Sequence, residues 1–274
     1  MNLPVVTFEA LAGGVTVVAS GESLSTASLG LPGGAYTTLR TYHGDRVLRL
    51  PQHVARLNDS AALMDSPGAL DEPRVREALA ASLQATGHPE SRVRLTYSPP
   101  RLFVSVEALK PLPEPMYREG VACTTIRLER RNPHAKDTRF ITVAAEAQRK
   151  LPPGIHEGLM VSDDGAILEG LSSNFFAVRG GVLHTEDQRA LLGVTRSVAL
   201  EVAGGVLPVC VTPPLLDEIP TLQECFITSA SREILPVVRI DRRTIAEGRP
   251  GRVTRDLMRL FGELVEREAA SVMA

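Results

Sequence analysis

Lys136 stands in RNPHAKDTRF, directly before a predicted helix, in a chain with only two other lysines, Lys110 and Lys150. The positive end of a helix dipole disfavours a further positive charge. The position is therefore awkward for a structural lysine and useful for a nucleophilic amine, which must be held unprotonated. Further along, Glu169 closes the apolar run MVSDDGAIL and is followed by GLSSNFF. A carboxylate there asks for a cation, because an unpaired buried charge is costly. In LLGVTRSVALEVA, a glycine precedes Val194, Thr195 and a predicted helix. Free amides at a helix start, a flexible glycine and a hydroxyl make a phosphate cradle. FITSASREI runs from an apolar strand into Ser229, Ala230 and Ser231, and its hydroxyls can donate to an anion. Arg40, Arg94 and Arg139 are candidates for a substrate carboxylate, which a guanidinium binds bidentately. Each feature also has a plain structural use: a solvated lysine, a strand-end glutamate facing water, a threonine N-cap, a serine turn, a surface arginine.

The elements that must position these groups follow from periodicity and turn residues. KPLPEPMYREG interrupts strand-like sequence on both sides. It predicts a small N-terminal α+β domain over 1–110, an interdomain linker over 111–120 and a larger C-terminal domain over 121–274. In the first, strands at Val15–Ala19, Tyr36–Tyr42 and Val47–Arg49 lead to helices at Pro51–Met64 and Glu72–Thr86. Strands at Arg92–Tyr97 and Leu102–Ala108 follow, and HGD at 43–45 is a hairpin turn. In the second, a strand at Val121–Glu129 precedes a helix at Asp137–Lys150 that Asp137 or Thr138 can cap. Gly158–Ser162 and Ala166–Glu169 form a hairpin around Asp163-Asp164-Gly165, and Phe175–Val178 and Val182–Thr185 form another. A helix opens near Thr195, Cys225–Thr228 is a short strand, and apolar residues from Val253 to Val265 recur at helical spacing.

Composition narrows the function classes. A chain of 274 residues, 43% hydrophobic, 23% charged and with a net charge of −2, has the make-up of a globular protein with no electrostatic pull on polyanions. Neither a nucleic-acid nor a membrane partner is expected. Cys123, Cys210 and Cys225 have no metal-ligand spacing and no secretory leader beside them, so they are expected to be reduced thiols in a cytoplasmic protein without a metal.

A Schiff-base lysine, a carboxylate for a ring nitrogen and a phosphate cup are together the parts that pyridoxal 5'-phosphate requires. From about residue 33 to 262 the chain resembles the fold-type IV pyridoxal-phosphate enzymes, which include branched-chain aminotransferases, D-amino acid aminotransferases and aminodeoxychorismate lyases. The resemblance runs in order through GGAYTTLRTYHGD, LPQHVARLNDSA, Lys136, HEGLMVSDDGAILEGLSSNFFAV, LLGVTRSVALEVA, FITSASREILPVVRID and GRPGRVTRDLMRLF. It implies an α+β fold of two domains, a small α/β sandwich and a larger mixed β-barrel-like domain with helices. It also implies a homodimer that moves an amino group from an amino donor to a 2-oxo acid acceptor. By the same resemblance Lys136 is the Schiff-base lysine, Glu169 the partner of the pyridine nitrogen and Arg56 the phosphate-binding arginine. Val194 and Thr195 match the phosphate-binding helix start, Ser173 and Asn174 flank the cofactor, and Tyr36 is an active-site aromatic. The chain departs from the branched-chain pattern at Ala230, where a threonine is usual and Ser229 or Ser231 must compensate. It departs again at TTLR in place of EGIR, and at Ile141 in place of an aromatic. The arginine–histidine carboxylate trap of D-amino acid aminotransferases is absent from RLTYSPPRLF. The lyase, making 4-aminobenzoate and pyruvate, is the alternative activity.

Overall fold

The computed structural model describes residues 5–273, and its hydrophobic patterns sort into two compact units. One comprises the chain through Lys110, Ala135–Val143 and the stretch from Val265 on; the other comprises Pro111–His134 and Ala144–Leu264.

The first unit is an antiparallel sheet covered by helices. Its strands are β1 (Val5–Leu11), β2 (Gly14–Gly21), β3 (Ala35–Arg40), β5 (Ser91–Ser98) and β6 (Arg101–Ala108), in the order β2-β1-β6-β5-β3. A two-residue strand, β4 (Arg46–Val47), precedes α2 (Leu50–Ala62), and α1 (Leu24–Leu29) and α3 (Glu72–Thr86) complete the set. Strand side chains alternate between faces. Leu39, Val93 and Leu95 therefore meet Leu57 of α2 and Leu79 of α3 in one cluster. Burying each such leucine stabilises by about 1.5–3 kcal/mol. The bounds of α3 follow from its ends: the Asp71 side chain accepts from the Arg74 amide, and Gly87 closes the helix in the left-handed conformation.

The second unit is a barrel. It is built from β7 (Val121–Arg127), β8 (Glu157–Val161), β9 (Ile167–Gly170), β10 (Asn174–Arg179), β13 (Glu224–Ser229) and β14 (Glu233–Ile240). The pairings run β10-β13-β14-β7-β8-β9 and return to β10, which closes a six-stranded ring. β7 is parallel to both β14 and β8, and the other pairs are antiparallel. Parallel neighbours need a long crossover, and the stretch from β7 to β8 contains α5 (Arg139–Arg149). Cys123, Leu159, Val161, Phe175, Ile227 and Leu235 share the interior cluster. β10 divides one edge, pairing with β9 at Asn174 and with β11 (Val182–His184) further on. The short strands β12 (Val209–Cys210) and β15 (Arg243–Thr244) extend the sheet, and α6 (Val194–Ala203) and α7 (Arg252–Glu268) are its longer helices. A last short strand, β16 (Ala270–Ser271), pairs with β4 in the first unit.

The structure amends the sequence reading at several points. The stretch expected as a linker contains a helix, α4 (Glu114–Glu119), with a proline in its first turn and Gly120 closing it. Leu112, Met116 and Tyr117 pack it onto the barrel cluster, so the prolines open a helix of the second unit just past the division after Lys110. Ala135–Val143 and the residues from Val265 on, expected in the C-terminal domain, belong to the first unit. The former runs beside β3, and the latter supplies β16. The helix expected from Asp137 begins at Arg139, because Asp137 bridges to Ala35 and the Thr138 hydroxyl accepts from the Gly34 amide. Among the described residues no helix is long and apolar enough to cross a membrane.

Candidate active site

In the first unit, Lys136 is pinned on both sides of its backbone. Its carbonyl accepts from the Tyr36 amide at 2.8 Å, and its own amide donates to the buried Ser60 hydroxyl of α2 at 3.1 Å. The side chain lies over the Tyr36 ring, with Nζ 4.7 Å from the centroid. Arg94 approaches the same ring, its Cζ 5.1 Å from the centroid. The register explains this: Thr38 faces Arg94 across β3 and β5, so Tyr36 is the diagonal neighbour on the same face. Arg94 is buried, and its Nη1 donates to the Leu24 carbonyl and the Ser28 hydroxyl. Its Nε has no partner among the described residues. Burial lowers its pKa.

The other face of β3 carries a second cationic group. Arg56 and His53 sit one turn apart on α2, and Nη2 of Arg56 donates to the Thr37 hydroxyl and to Nδ1 of His53. Thr37 in turn lies 2.7 Å from Nδ1. Since Nδ1 accepts, the proton of a neutral His53 is on Nε2. Burial, then the charges of Arg56 and Lys136, hold His53 well below the ordinary imidazole value. The head group of Arg56 is enclosed, with Nε shut off from solvent and unpartnered among the described residues. Burial pushes its pKa down to about 10. A half-buried guanidinium held by a hydroxyl and an imidazole is short of negative charge, which an anionic group supplies.

In the second unit, Glu169 is answered by an arginine. Nε of Arg130 donates to its Oε1 at 2.7 Å, with the two side chains 5% and 2% exposed. Asn174 lies opposite Glu169 where β9 meets β10, and its Nδ2 is 3.4 Å from Oε2. The same Nδ2 donates to the Leu191 carbonyl at 2.6 Å, which ties the loop before α6 to the barrel. That loop needs Gly193: a Cβ there would lie 2.3 Å from Oδ1 of Asn174. Gly193 is the N-cap of α6 and provides no side-chain cap, so the amides at the Val194 and Thr195 end await an acceptor. Thr228, opposite Asn174 on β13, has a buried hydroxyl without a partner among the described residues.

The remaining sequence candidates are otherwise engaged. Arg40 pairs with Glu90 and stacks on Tyr42. Arg139 is exposed and pairs with Asp137. Ser173 donates to Glu157, and Ser229 accepts from Arg232. Ala230 lies in the turn after β13. Sequence reasoning missed Arg130, Arg232 and His53. For Arg130 the available signal was a double arginine just ahead of the Lys136 segment.

Each unit carries groups that suit a phosphorylated aromatic cofactor: in the first, a half-buried arginine with an unpartnered Nε among the described residues; in the second, a helix start without a side-chain cap and a carboxylate held by Arg130 and Asn174. The Amino-transferase class IV family model matches residues 34–240. The chain is a class IV aminotransferase. It is 27% identical over 251 residues to a putative branched-chain-amino-acid aminotransferase of Methanocaldococcus jannaschii, covering 84% of this chain and 86% of that one. It is 25% identical over 266 residues to a D-alanine aminotransferase of Bacillus licheniformis, covering 88% and 90%. The fold superposes with a TM-score of 0.79 on the crystal structure of a putative branched-chain amino acid aminotransferase from Thermotoga maritima, at 25% identity over 95% of this chain and 96% of that one. Class IV aminotransferases use pyridoxal 5'-phosphate, and their substrates are an amino acid and a 2-oxo acid.

Proposed function

We propose that this aminotransferase takes its amino group from an aliphatic α-amino acid, of the branched-chain or D-amino acid type, and delivers it to a 2-oxo acid. The observation carrying this reading is the Tyr36 ring shared by the Lys136 amine and the buried Arg94 guanidinium. A substrate carboxylate drawn to Arg94 would meet a cation close to the amine that must act on Cα. Arg40 and Arg139 already hold carboxylates of their own and take no part.

When bound, pyridoxal phosphate supplies an electron-poor ring that draws off the electron pair of the substrate Cα–H bond. By the family resemblance, Lys136 would carry the cofactor and then move the proton taken from Cα. Arg56 would bind the phosphate, and the Tyr36 ring would orient the amine. Glu169, by the same resemblance, would hold a proton at the ring nitrogen because opposite charge favours the charged form. Arg130 and Asn174 fix the aim of its oxygens. The amides of Val194 and Thr195 and the hydroxyls of Ser229 and Thr228 would hold the phosphate, covering for Ala230. Ser173 and Asn174 complete the turn beside them. The working form is a homodimer, as the resemblance implies.

The test is steady-state 2-oxo acid formation from a panel of L- and D-amino acids, with and without an added 2-oxo acid acceptor. Turnover strictly dependent on the acceptor supports the reading. Pyruvate released from aminodeoxychorismate without any acceptor replaces it with the lyase. Arg94→Met should raise the donor KM by roughly tenfold to a hundredfold, the worth of one hydrogen bond between charged groups. An unchanged KM removes Arg94 from the site.

A further inference from the structure

Two turns at one end of the barrel are riveted by a side chain that the reading above does not use. After β13 the chain turns through Ala230, Ser231 and Arg232 into β14, and the Arg232 amide donates to the Ser229 carbonyl. The Arg232 guanidinium then divides its donors. Nε donates to the Ser229 hydroxyl at 2.8 Å, inside its own turn. Nη2 donates to the carbonyl of Ser172 at 3.0 Å and to its hydroxyl at 2.9 Å, in the turn between β9 and β10. Nη1 donates to Oε2 of Glu157 at 3.0 Å and lies 3.4 Å from Nε2 of His156. Glu157 is fully buried at the start of β8, and its Oε2 also accepts from the hydroxyls of Ser172 and Ser173. Gly170 makes room for this cluster, since a Cβ there would lie 2.1 Å from the Ser173 hydroxyl and 3.0 Å from Cγ of Glu157.

Counting hydrogens shows what the cluster leaves over. A serine hydroxyl has one hydrogen to give. Ser172 and Ser173 give theirs to Glu157. Ser229 accepts from Arg232, and among the described residues its own hydrogen has no acceptor. Donation from a guanidinium polarises that hydroxyl and strengthens it as a donor. The backbone of the turn is held by the Ser229–Glu233 pairing and by the Tyr117 hydroxyl, which donates to the Arg232 carbonyl at 3.2 Å; the Arg232 guanidinium is what reaches its Ser229 side chain.

We infer that Arg232 is a positioning residue for cofactor binding: tied to Glu157 and Ser172, it fixes the Ser229–Ser231 turn so that its donors are set for the phosphate. The inference rests on the pyridoxal-phosphate reading. It concerns the phosphate end alone, so it predicts a difference between pyridoxal phosphate and pyridoxal, which lacks the phosphate.

The experiment measures both affinities on cofactor-stripped protein, by the absorbance change when the aldehyde is taken up. Arg232→Met is combined with Glu157→Gln, so that no buried carboxylate is left unpaired. This variant should bind pyridoxal phosphate roughly tenfold more weakly, the lower end of what one hydrogen bond to a charged group is worth. Its pyridoxal affinity should stay within about twofold. Arg232→Lys keeps a donor for Glu157 and should recover part of the loss. Ser172→Ala, which leaves Arg232 and Ser229 intact, should fall between and serves where the double variant does not fold. Equal losses for both ligands, or no loss for either, overturn the assignment of Arg232 while leaving the cofactor reading intact. Wild-type protein that takes up neither ligand overturns both.

Discussion

Removing Arg130 and the Glu169 charge together should cost less than the two separate losses added. At 2.7 Å between Nε and Oε1, the attraction at an effective dielectric of 20 is about 6 kcal/mol. Taking each ion out of water costs several kcal/mol, so the pair as a unit adds little net stability. Once Arg130 is replaced, that attraction is lost while the burial of Glu169 remains. Arg130→Met should therefore lower the unfolding free energy by about 3–5 kcal/mol. Glu169→Gln alone leaves the guanidinium buried and should cost a comparable amount. The double variant should lose less than the sum, with a coupling of about 1–3 kcal/mol. Urea unfolding of the four cofactor-free proteins, followed by far-UV circular dichroism, closes the cycle. Additive losses within about 0.5 kcal/mol would refute the reasoning, since they would mean that the two charges do not feel each other.

Three further outcomes follow from the same geometry. Arg56→Met removes a half-buried guanidinium whose partners are a hydroxyl and an imidazole, so the cofactor-free protein should melt no lower than wild type while pyridoxal phosphate affinity drops roughly a hundredfold; a large fall in melting temperature would contradict this. His53 titrates with its folded pKa held below the ordinary 6.5, so below that pH the unfolded chain binds a proton that the folded chain refuses. Stability is then lost as pH falls, by up to about 1.4 kcal/mol per pH unit, and melting curves from pH 7.5 to 5.5 should fall less steeply in His53→Asn. Gly193→Ala forces its Cβ onto Asn174 and should cost about 1–3 kcal/mol; Asn174→Ala in the same chain should relieve part of that loss, measured by thermal unfolding.

What the sequence disclosed tracks how local the determinant is. The α3 helix was legible to the residue because its start and stop signals, Asp71 and Gly87, are its own neighbours. The β8–β9 hairpin was legible because Asp163-Asp164-Gly165 announces the turn. β14 was not, because Pro236 within it argues against a strand, and only its pairing with Phe226 on β13 makes it one. α4 was hidden by prolines that break a helix interior but start a helix well. In the site, the need of Glu169 for a cation could be read from the run it closes. The identity of that cation could not, because Arg130 lies in a loop without periodicity and reaches across 39 residues. Likewise Arg56 could be placed only by its motif, since its shortage of negative charge is a property of how α2 lies against β3.

The barrel closes at one rung. Among the described residues β9 and β10 pair only through Glu169 and Asn174, since the rest of that edge of β10 is taken by β11. Every other seam of the ring is laced by several rungs. The residues proposed to meet the cofactor in this unit are therefore also its zipper pull. A ligand engaging Glu169 and Asn174 does more than fill a cleft, because it fastens the weakest seam of the cylinder.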